Sequence, residues 1–367
     1  MVRTCYRCGE QTGAAYCVRC RTPLRPSPTV VVVVPAHNEE ATLSDTARSL
    51  LAQTHPPDQI LVVDDCSTDR TGEVAAAAGA TVLRPLHRLG SKARAQNFAL
   101  PYVRGDIVLT VDADTVLAPP YIRLILQAFQ DPQVAIAAGC VLSRFTRTVW
   151  ERGRQIEYLF GFHFHRPVQN MVHAPIVCSG CCSAFRVHEL RAAGGFPERT
   201  IVEDMDLSWT FQRMGRHAVY VPDAVAYAAD PSTFRFMQKQ VWRWMSGFFQ
   251  NVALHGRHLP RDKPWLAVWM YAAVLEILLV PLWYATCVWL TWRFGWRGFA
   301  WWFGTEFALM AIPVLLGARR RGLPLGKVFF DIPSVFVVKL LNFVLAWKAM
   351  VTELLLHRRL VVYEKGH

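Results

Sequence analysis

The stretch WLAVWMYAAVLEILLVPLWYATCVWLTW, residues 265–292, limits what this chain can become more than any other. It is long enough to cross a bilayer, even with Glu276 and Pro281 inside it. In hydrocarbon the backbone must satisfy its own polar groups, so a crossing segment here is helical. A second candidate, GFAWWFGTEFALMAIPVLLG at 298–317, carries Glu306. Only Arg293 and Arg297 lie between the two, whereas Arg319, Arg320 and Arg321 follow the second, a strong marker of the inner side. Going out with the first span and back with the second leaves the preceding residues on the cytoplasmic face. The stretch 328–346 is ambiguous because it holds Asp331, Pro333, Lys339 and Asn342, and WKAMVTELLLHRRL after it has the pattern of an amphipathic surface helix. The expectation for 264–367 is therefore a membrane region with spans at about 265–292 and 298–317. A re-entrant or interfacial segment, or a third span, follows at about 328–350. Glu276 and Glu306 are expected to face protein rather than lipid, where charge is costly.

The formal net charge is +12, and 52% of the residues are hydrophobic, with 13 Trp. The positive charge is interleaved with apolar segments rather than gathered in a basic tail. That suits a membrane surface or an anionic substrate, and no nucleic acid partner is expected. The opening MVRTCYRCGEQTGAAYCVRC lacks an apolar core, so no signal peptide is expected. In a reducing cytoplasm the ten cysteines would not form a disulfide framework. Four of them, Cys5, Cys8, Cys17 and Cys20, form two CxxC knuckles within residues 1–22. Two close thiolate pairs can surround Zn2+ tetrahedrally and fold a segment too small to have a core of its own, giving a zinc-ribbon-like unit. Reduced or redox-active thiols are the alternative. Residues 23–28 read as a Pro- and Arg-rich linker.

From 29 to 260 strand-like and helix-like stretches alternate. TVVVVVP, QILVVDD, ATVLRP and DIVLTVDADT read as strands; NEEATLSDTARSLLAQ, RTGEVAAAAG and SKARAQNFAL read as helices. This is the rhythm of a mainly parallel α/β sheet with flanking helices, in which ligands bind beyond the carboxyl ends of the strands. Three polar clusters fall there: His37–Glu40, Asp64–Asp65 and Asp112/Asp114. Residues i and i+2 of an extended chain face the same way. Asp112 and Asp114 thus suit Mg2+ or Mn2+ shared with phosphate oxygens. Asp64 and Asp65 can accept hydrogen bonds from a base or a ribose, and Lys92 and Arg94 at a helix start suit phosphate. Glu203, Asp204 and Asp206 crowd one another, which fits a group that must take up a proton, though a helix N-terminus collects acids too. In MQKQVWRWMSGFF, residues Gln240, Arg243 and Trp244 share a helix face behind a cap at Ser232 or Thr233. Such a face can belong to a membrane-surface helix, or it can grip an anion and stack on a ring. Cys178, Cys181 and Cys182 read as small side chains rather than a metal site, and His163 and His165 as packing or surface.

PAHNEE, VVDDCSTD, GSKARAQN, DAD, CSGCCSAFR, VED and QVWRW occur in the order found in family 2 glycosyltransferases. The chain resembles their membrane-bound processive branch, which includes poly-N-acetylglucosamine, hyaluronan, chitin and cellulose synthases. The resemblance runs from residue 29 to about 255. It implies a GT-A (Rossmann-like) domain that transfers a sugar from a UDP-sugar to a growing β-linked polysaccharide with inversion. N-acetylglucosamine is the sugar favoured by SGCCSAFR and EDMDLSW. Carried over by position, Glu39, Asp64 and Asp65 would meet the nucleoside, Lys92 the diphosphate and Asp112 the nucleotide. Asp114, with Asp112, would hold the Mg2+ or Mn2+. Asp204 would be the general base, beside Glu203. Gln240 and Arg243 would steady the leaving diphosphate, and Trp244, Ser179 and Gly180 would meet the acceptor. The chain departs from the pattern in carrying the cysteine knuckles ahead of the catalytic domain and few spans behind it. A homo-oligomer or a secretion partner could supply the missing helices. A non-processive transfer to a lipid carrier, cell-surface glycan or protein is the alternative, and a zinc-ribbon adaptor with an inactive domain a remote one.

Overall fold

The computed structural model describes residues 28–361, together with Arg19 and a short ladder in which β1 (Arg3–Thr4) pairs antiparallel with β2 (Gln11–Thr12). Cys5, Cys8, Cys17 and Cys20, and with them the expected zinc unit, lie outside the described residues. The chain forms two compact units. The first takes residues up to Val141, then His173–Arg199 and Glu203–Ala229. The second takes Leu142–Val172, Thr200–Val202 and everything from Asp230.

Eight strands form one sheet: β3 (Val30–Ala36), β4 (Gln59–Asp64), β5 (Thr81–Leu83), β6 (Ile107–Val111), β7 (Val116–Leu117), β8 (Val134–Ser143), β9 (Cys182–Arg186) and β10 (His217–Ala228). Their order is β5-β4-β3-β6-β9-β8-β10-β7. The valines of β3 are all buried, as expected of a strand covered on both faces. β4 and β6 run parallel to β3 on either side, and β5 runs parallel to β4. β9 pairs antiparallel with both β6 and β8, and β7 pairs antiparallel with β10. The register sets Ala36 opposite Asp64 and Val33 opposite Thr110. The three parallel strands that precede the polar clusters therefore end along one edge. Below them Val31, Val33, Leu61 and Val63 pack with Ala93, Ala99, Phe185 and Phe211 in one core cluster. Each large apolar side chain buried this way contributes about 1.5–3 kcal/mol relative to exposure.

Buried Tyr121 fastens the start of β9: its hydroxyl donates to the Cys182 carbonyl and accepts from the Gly139 N–H at 3.0 Å. Gly139 is obligatory there, because a Cβ would stand 2.2 Å from the Ala224 carbonyl oxygen. The same anchoring fixes the small-residue loop just before β9.

In the second unit, the helix Val149–Phe160 starts in a capping box between Thr148 and Glu151. The helix Phe234–His255 is capped by Thr233, whose hydroxyl accepts from the Phe236 N–H at 3.3 Å, so Thr233 rather than Ser232 is the cap. Helices Pro264–Phe294 and Trp296–Arg320 meet at Gly295, which adopts a positive φ of 61°. The segment expected at about 328–350 as re-entrant, interfacial or spanning is split: the short helix Leu325–Asp331 is followed by the helix Pro333–Met350, continued as a π-helix over Val351–Leu355. Three helices among the described residues are thus long and apolar enough to cross a membrane. Large apolar side chains such as Leu282, Trp292 and Leu316 point outward, as lipid contact requires. Glu306 points inward, paired with Lys339 and hydrogen-bonded by the Trp283 indole at 3.3 Å, whereas Glu276, expected to be covered likewise, is exposed.

Candidate active site

The first unit gathers its polar groups at the common strand edge. The loop after β3 and the loop after β4 are stapled together by reciprocal bonds. Asn38, at a φ of 56°, accepts from the Thr68 N–H at 2.8 Å, and its own N–H donates to the Ser67 hydroxyl at 3.0 Å. Glu40 accepts from the Arg70 N–H at 2.9 Å. The Glu39 N–H donates to the Thr71 hydroxyl at 2.7 Å, and the Glu39 carboxylate accepts from Thr42. Asp64 accepts from the Ser67 N–H at 2.9 Å and lies 3.6 Å from the Arg84 guanidinium. Asp65 accepts from the Leu89 and Gly90 N–H groups at 2.6 and 3.1 Å. Glu39, Asp64 and Asp65 are all buried, and each shapes the loops that form this edge. In particular, Asp65 holds the turn that leads into the helix Lys92–Ala99.

That helix is capped by Ser91, which accepts from the Arg94 N–H at 3.2 Å, and begins with Lys92. The Lys92 ammonium forms a short ion pair with Asp112 and lies 3.9 Å from Glu203. Asp112 and Asp114 are half-buried, but they lie in a turn closed by the Thr115 N–H on the Asp112 carbonyl at 3.0 Å, just past the end of β6, and not in the extended chain that the i, i+2 argument assumed. The Asp112 N–H donates to the Cys181 carbonyl at 3.2 Å, which joins the end of β6 to the small-residue loop. One residue earlier in that loop, the Gly180 N–H donates to the Asp204 carboxylate at 2.7 Å. A Cβ on Gly180 would stand 3.1 Å from Asp204 and 3.2 Å from the Lys92 ammonium. Ser179 is half-buried, and its carbonyl accepts from the Cys182 N–H and the Ser183 hydroxyl.

Lys92, Asp112, Gly180, Glu203 and Asp204 therefore meet at one place. The three crowded acids of VEDMD are dealt to different partners. Asp206 is fully buried and bound through two bonds by Arg199 at 2.8 and 2.9 Å, so it is structural. Asp204 keeps one oxygen on the Gly180 N–H and the other on the Met205 N–H at 2.8 Å.

The donor set fits a divalent cation of the Mg2+ or Mn2+ kind. Asp112 and Asp114 are hard oxygen ligands, and the surrounding charge is predominantly acidic. No group of three or more His, Cys, Asp or Glu among the described residues converges to hold a metal. A cation here would need oxygens from a bound phosphate to complete its shell, and Lys92 competes with it for Asp112.

In the second unit, Gln240, Arg243 and Trp244 are half-buried on the Phe234–His255 helix. Arg154, which the sequence did not single out, is buried beneath them. Its guanidinium lies 4.7 Å from the Trp244 ring centre and donates to Glu157 at 2.6 Å and to the Gln240 oxygen at 3.4 Å. Glu157 in turn accepts from Asn342 at 2.5 Å. Asp230 accepts from the Tyr158 hydroxyl at 2.9 Å, and burial pushes its carboxyl up to about 6, against the opposing charge of Arg154. The one sequence signal for this cluster is the Arg154/Glu157 pair at helical spacing inside an otherwise aromatic and aliphatic run.

The first unit is thus an α/β sheet with acids at its strand ends, a lysine at a helix start and a carboxylate held by a glycine N–H. The model of the glycosyltransferase-like family 2 matches residues 26–247, and the chain belongs to that family. It is 28% identical over 282 residues to an N-acetylglucosaminyltransferase of Bradyrhizobium diazoefficiens, covering 70% of this chain and 56% of that protein. It is 29% identical over 273 residues to hyaluronan synthase of Streptococcus pyogenes, covering 68% of this chain and 64% of that one. The chain thus spans about three fifths of the length of these curated relatives. In fold it is similar to a mannosyltransferase from Pyrobaculum calidifontis solved with GDP-Man and Mn2+. The TM-score is 0.58 at 22% identity, over 86% of this chain and 87% of that one. The fold is GT-A-like, followed by helices able to span a membrane.

Proposed function

We propose that this chain is an inverting glycosyltransferase that moves N-acetylglucosamine from a UDP-sugar to a growing β-linked polysaccharide at the cytoplasmic face of a membrane. The observation that carries this reading is the meeting of Lys92, Asp112, Gly180 and Asp204 at the carboxyl edge of the sheet. The names of the relatives support the sugar and the polymer, and the arginines at the end of the second apolar helix support the orientation.

In this reading Asp204 takes the proton of an acceptor hydroxyl, with Glu203 beside it. The acceptor oxygen attacks the anomeric carbon from the face opposite the nucleoside diphosphate. The bond from that carbon to the phosphate oxygen breaks, and its electron pair leaves with the diphosphate. One displacement needs one base and no covalent enzyme intermediate. The Gly180 and Met205 N–H groups together hold the Asp204 carboxylate in one orientation, a positional demand that dominates such steps. Lys92 stabilises the charge gathering on the leaving phosphate. A divalent cation held by Asp112 and Asp114 would add Lewis-acid neutralisation of the diphosphate. Glu39, Asp64 and Asp65 form the nucleoside end. The family resemblance, not the geometry, assigns Gln240 and Arg243 to the diphosphate and Trp244, Ser179 and Gly180 to the acceptor.

The test is nucleotide release by the detergent-purified full chain across UDP-GlcNAc, UDP-Glc, UDP-GalNAc and GDP-Man, with Mg2+ or Mn2+ added. Release with UDP-GlcNAc that falls at least a hundredfold in Asp204→Asn supports the proposal. Product size then separates a polymer from single transfer to a lipid or glycan. Release that is indifferent to Asp204→Asn, or absent with every donor even after native membranes are supplied, would sink it.

A further inference from the structure

We infer that Arg154 is a positioning residue for Gln240 and Trp244, held in its place by Glu157 and, through Glu157, by Asn342 of the third apolar helix. The inference rests on the reading of Gln240 as a diphosphate ligand and extends the site to residues that touch no substrate.

A guanidinium at 4% exposure is an unfavourable choice for simple packing, because an apolar side chain of similar volume fills such a space without desolvating a charge. Arg154 is used on several sides. One terminal nitrogen donates to Glu157 at 2.6 Å. The other reaches the Met237 sulfur at 2.9 Å and the Gln240 oxygen at 3.4 Å. Its plane lies over the Trp244 ring at 4.7 Å, within the range of a cation–π contact.

The chemistry of the two side chains gives this arrangement a consequence. Arginine has donors only, so the atom of Gln240 facing it must be the oxygen. The amide nitrogen, with both its hydrogens, is thereby turned the other way. A glutamine locked as a pure donor suits the oxygens of a diphosphate; one free to flip would present its oxygen to them half the time. On Trp244 the arginine occupies one face and leaves the half-exposed ring fixed in orientation.

Arg154 is itself prevented from swinging out. Glu157 takes the Asn342 amide at 2.5 Å as well as Arg154. Val338, one turn earlier on the same helix, packs against Gly153, where a Cβ would come within 2.4 Å of it. Met237 and Val241 join Val338 and Leu345 in one buried apolar cluster. The helix that carries Gln240 and Trp244 and the third apolar helix thus pack directly on one another beside Arg154.

The experiment is a double-mutant cycle on UDP binding by the full chain in lipid nanodiscs, measured by calorimetry with Mg2+ present, alongside the melting temperature of each protein. Arg154→Lys keeps the charge and loses the fork. It should weaken UDP about tenfold with little change in melting temperature. Gln240→Ala should weaken UDP by a similar factor, and adding Arg154→Lys to Gln240→Ala should change the affinity by less than about twofold. Asn342→Leu, which removes only the amide that holds Glu157, should weaken UDP in the same direction by about threefold. Because Arg154→Met leaves Glu157 unpaired, its partner variant Arg154→Met/Glu157→Gln guards against simple unfolding. It should bind UDP about as poorly as Arg154→Lys. Additive losses in the cycle, wild-type affinity in Arg154→Lys, or losses that follow the melting temperature would overturn the positioning role. A wild-type chain that binds neither UDP nor GDP would instead overturn the reading of the site.

Discussion

Replacing Gly180 by alanine tests the site at its tightest point. Gly180 is not at positive φ, so alanine meets no backbone strain there, and restricting the unfolded chain would by itself favour the folded state by about 0.4–1 kcal/mol. The new methyl would stand 3.1 Å from the Asp204 Cβ and carboxylate oxygen and 3.2 Å from the Lys92 ammonium. Ordinary carbon contacts are about 3.5–4.0 Å, so something retreats by roughly half an ångström. The Lys92 ammonium sits at the end of a flexible stem and can give way. Asp204 is in the first turn of the helix Glu203–Arg213, with a short side chain and both oxygens on backbone N–H groups, and its displacement carries into the bond from Gly180. A misplacement of about 1 Å costs roughly a hundredfold in rate, so half of that predicts about a tenfold lower kcat. Stability should stay within about 1 kcal/mol of wild type, because the packing strain and the entropic gain offset each other. Nucleotide release and a thermal melt on the same preparation measure both quantities. Full activity in Gly180→Ala would refute the claim that this glycine sets the position of the base. A rate that falls only in step with the melting temperature would refute it as well.

Two further outcomes follow from buried charges in the second unit. The Asp230 carboxyl is raised by burial from 3.8 to about 6, so the folded protein holds a proton that the unfolded chain releases at lower pH. The stability it contributes is fully present below about pH 4 and is lost as pH rises through 6, by up to about 3 kcal/mol. Melting temperature should fall across that window in the wild type and much less in Asp230→Asn; parallel curves would show that Asp230 is not the group responsible. For the pair between apolar helices, Lys339→Met should destabilise by about 3–5 kcal/mol because it strands Glu306. Adding Glu306→Gln should recover most of the loss in a detergent melt. No recovery would mean that Lys339 serves by packing rather than by charge.

Much of the architecture was legible along the chain because its causes are local. Val30–Val34 is an apolar run too short for a membrane and became an interior strand of the sheet. The helix starts at Ser91 and Thr233 follow from side-chain oxygens placed before helical stretches. The parallel rhythm announced that the carboxylates after three strands would share an edge, and the register of β3 with β4 and β6 puts them there. The stretch at 328–350 was ambiguous because Asp331, Lys339 and Asn342 lower its hydropathy. Their partners, Arg152, Glu306 and Glu157, are distant in sequence and cannot be inferred from a window.

Sequence alone determined which residue types stand at the strand ends, which segments can enter lipid, and the family pattern that joins them. Tertiary structure decided which partner each of those carboxylates meets. Asp206 went to Arg199, and Asp64 and Asp65 went to loop backbone, while Asp204 was brought to Gly180 and Asp112 to Lys92. It also decided that a cation would sit under Gln240 and Trp244. The physical reason is one of range. Periodicity and capping act over a few residues, whereas an ion pair or a hydrogen bond between remote segments exists only after the sheet register and helix packing have fixed where each side chain ends.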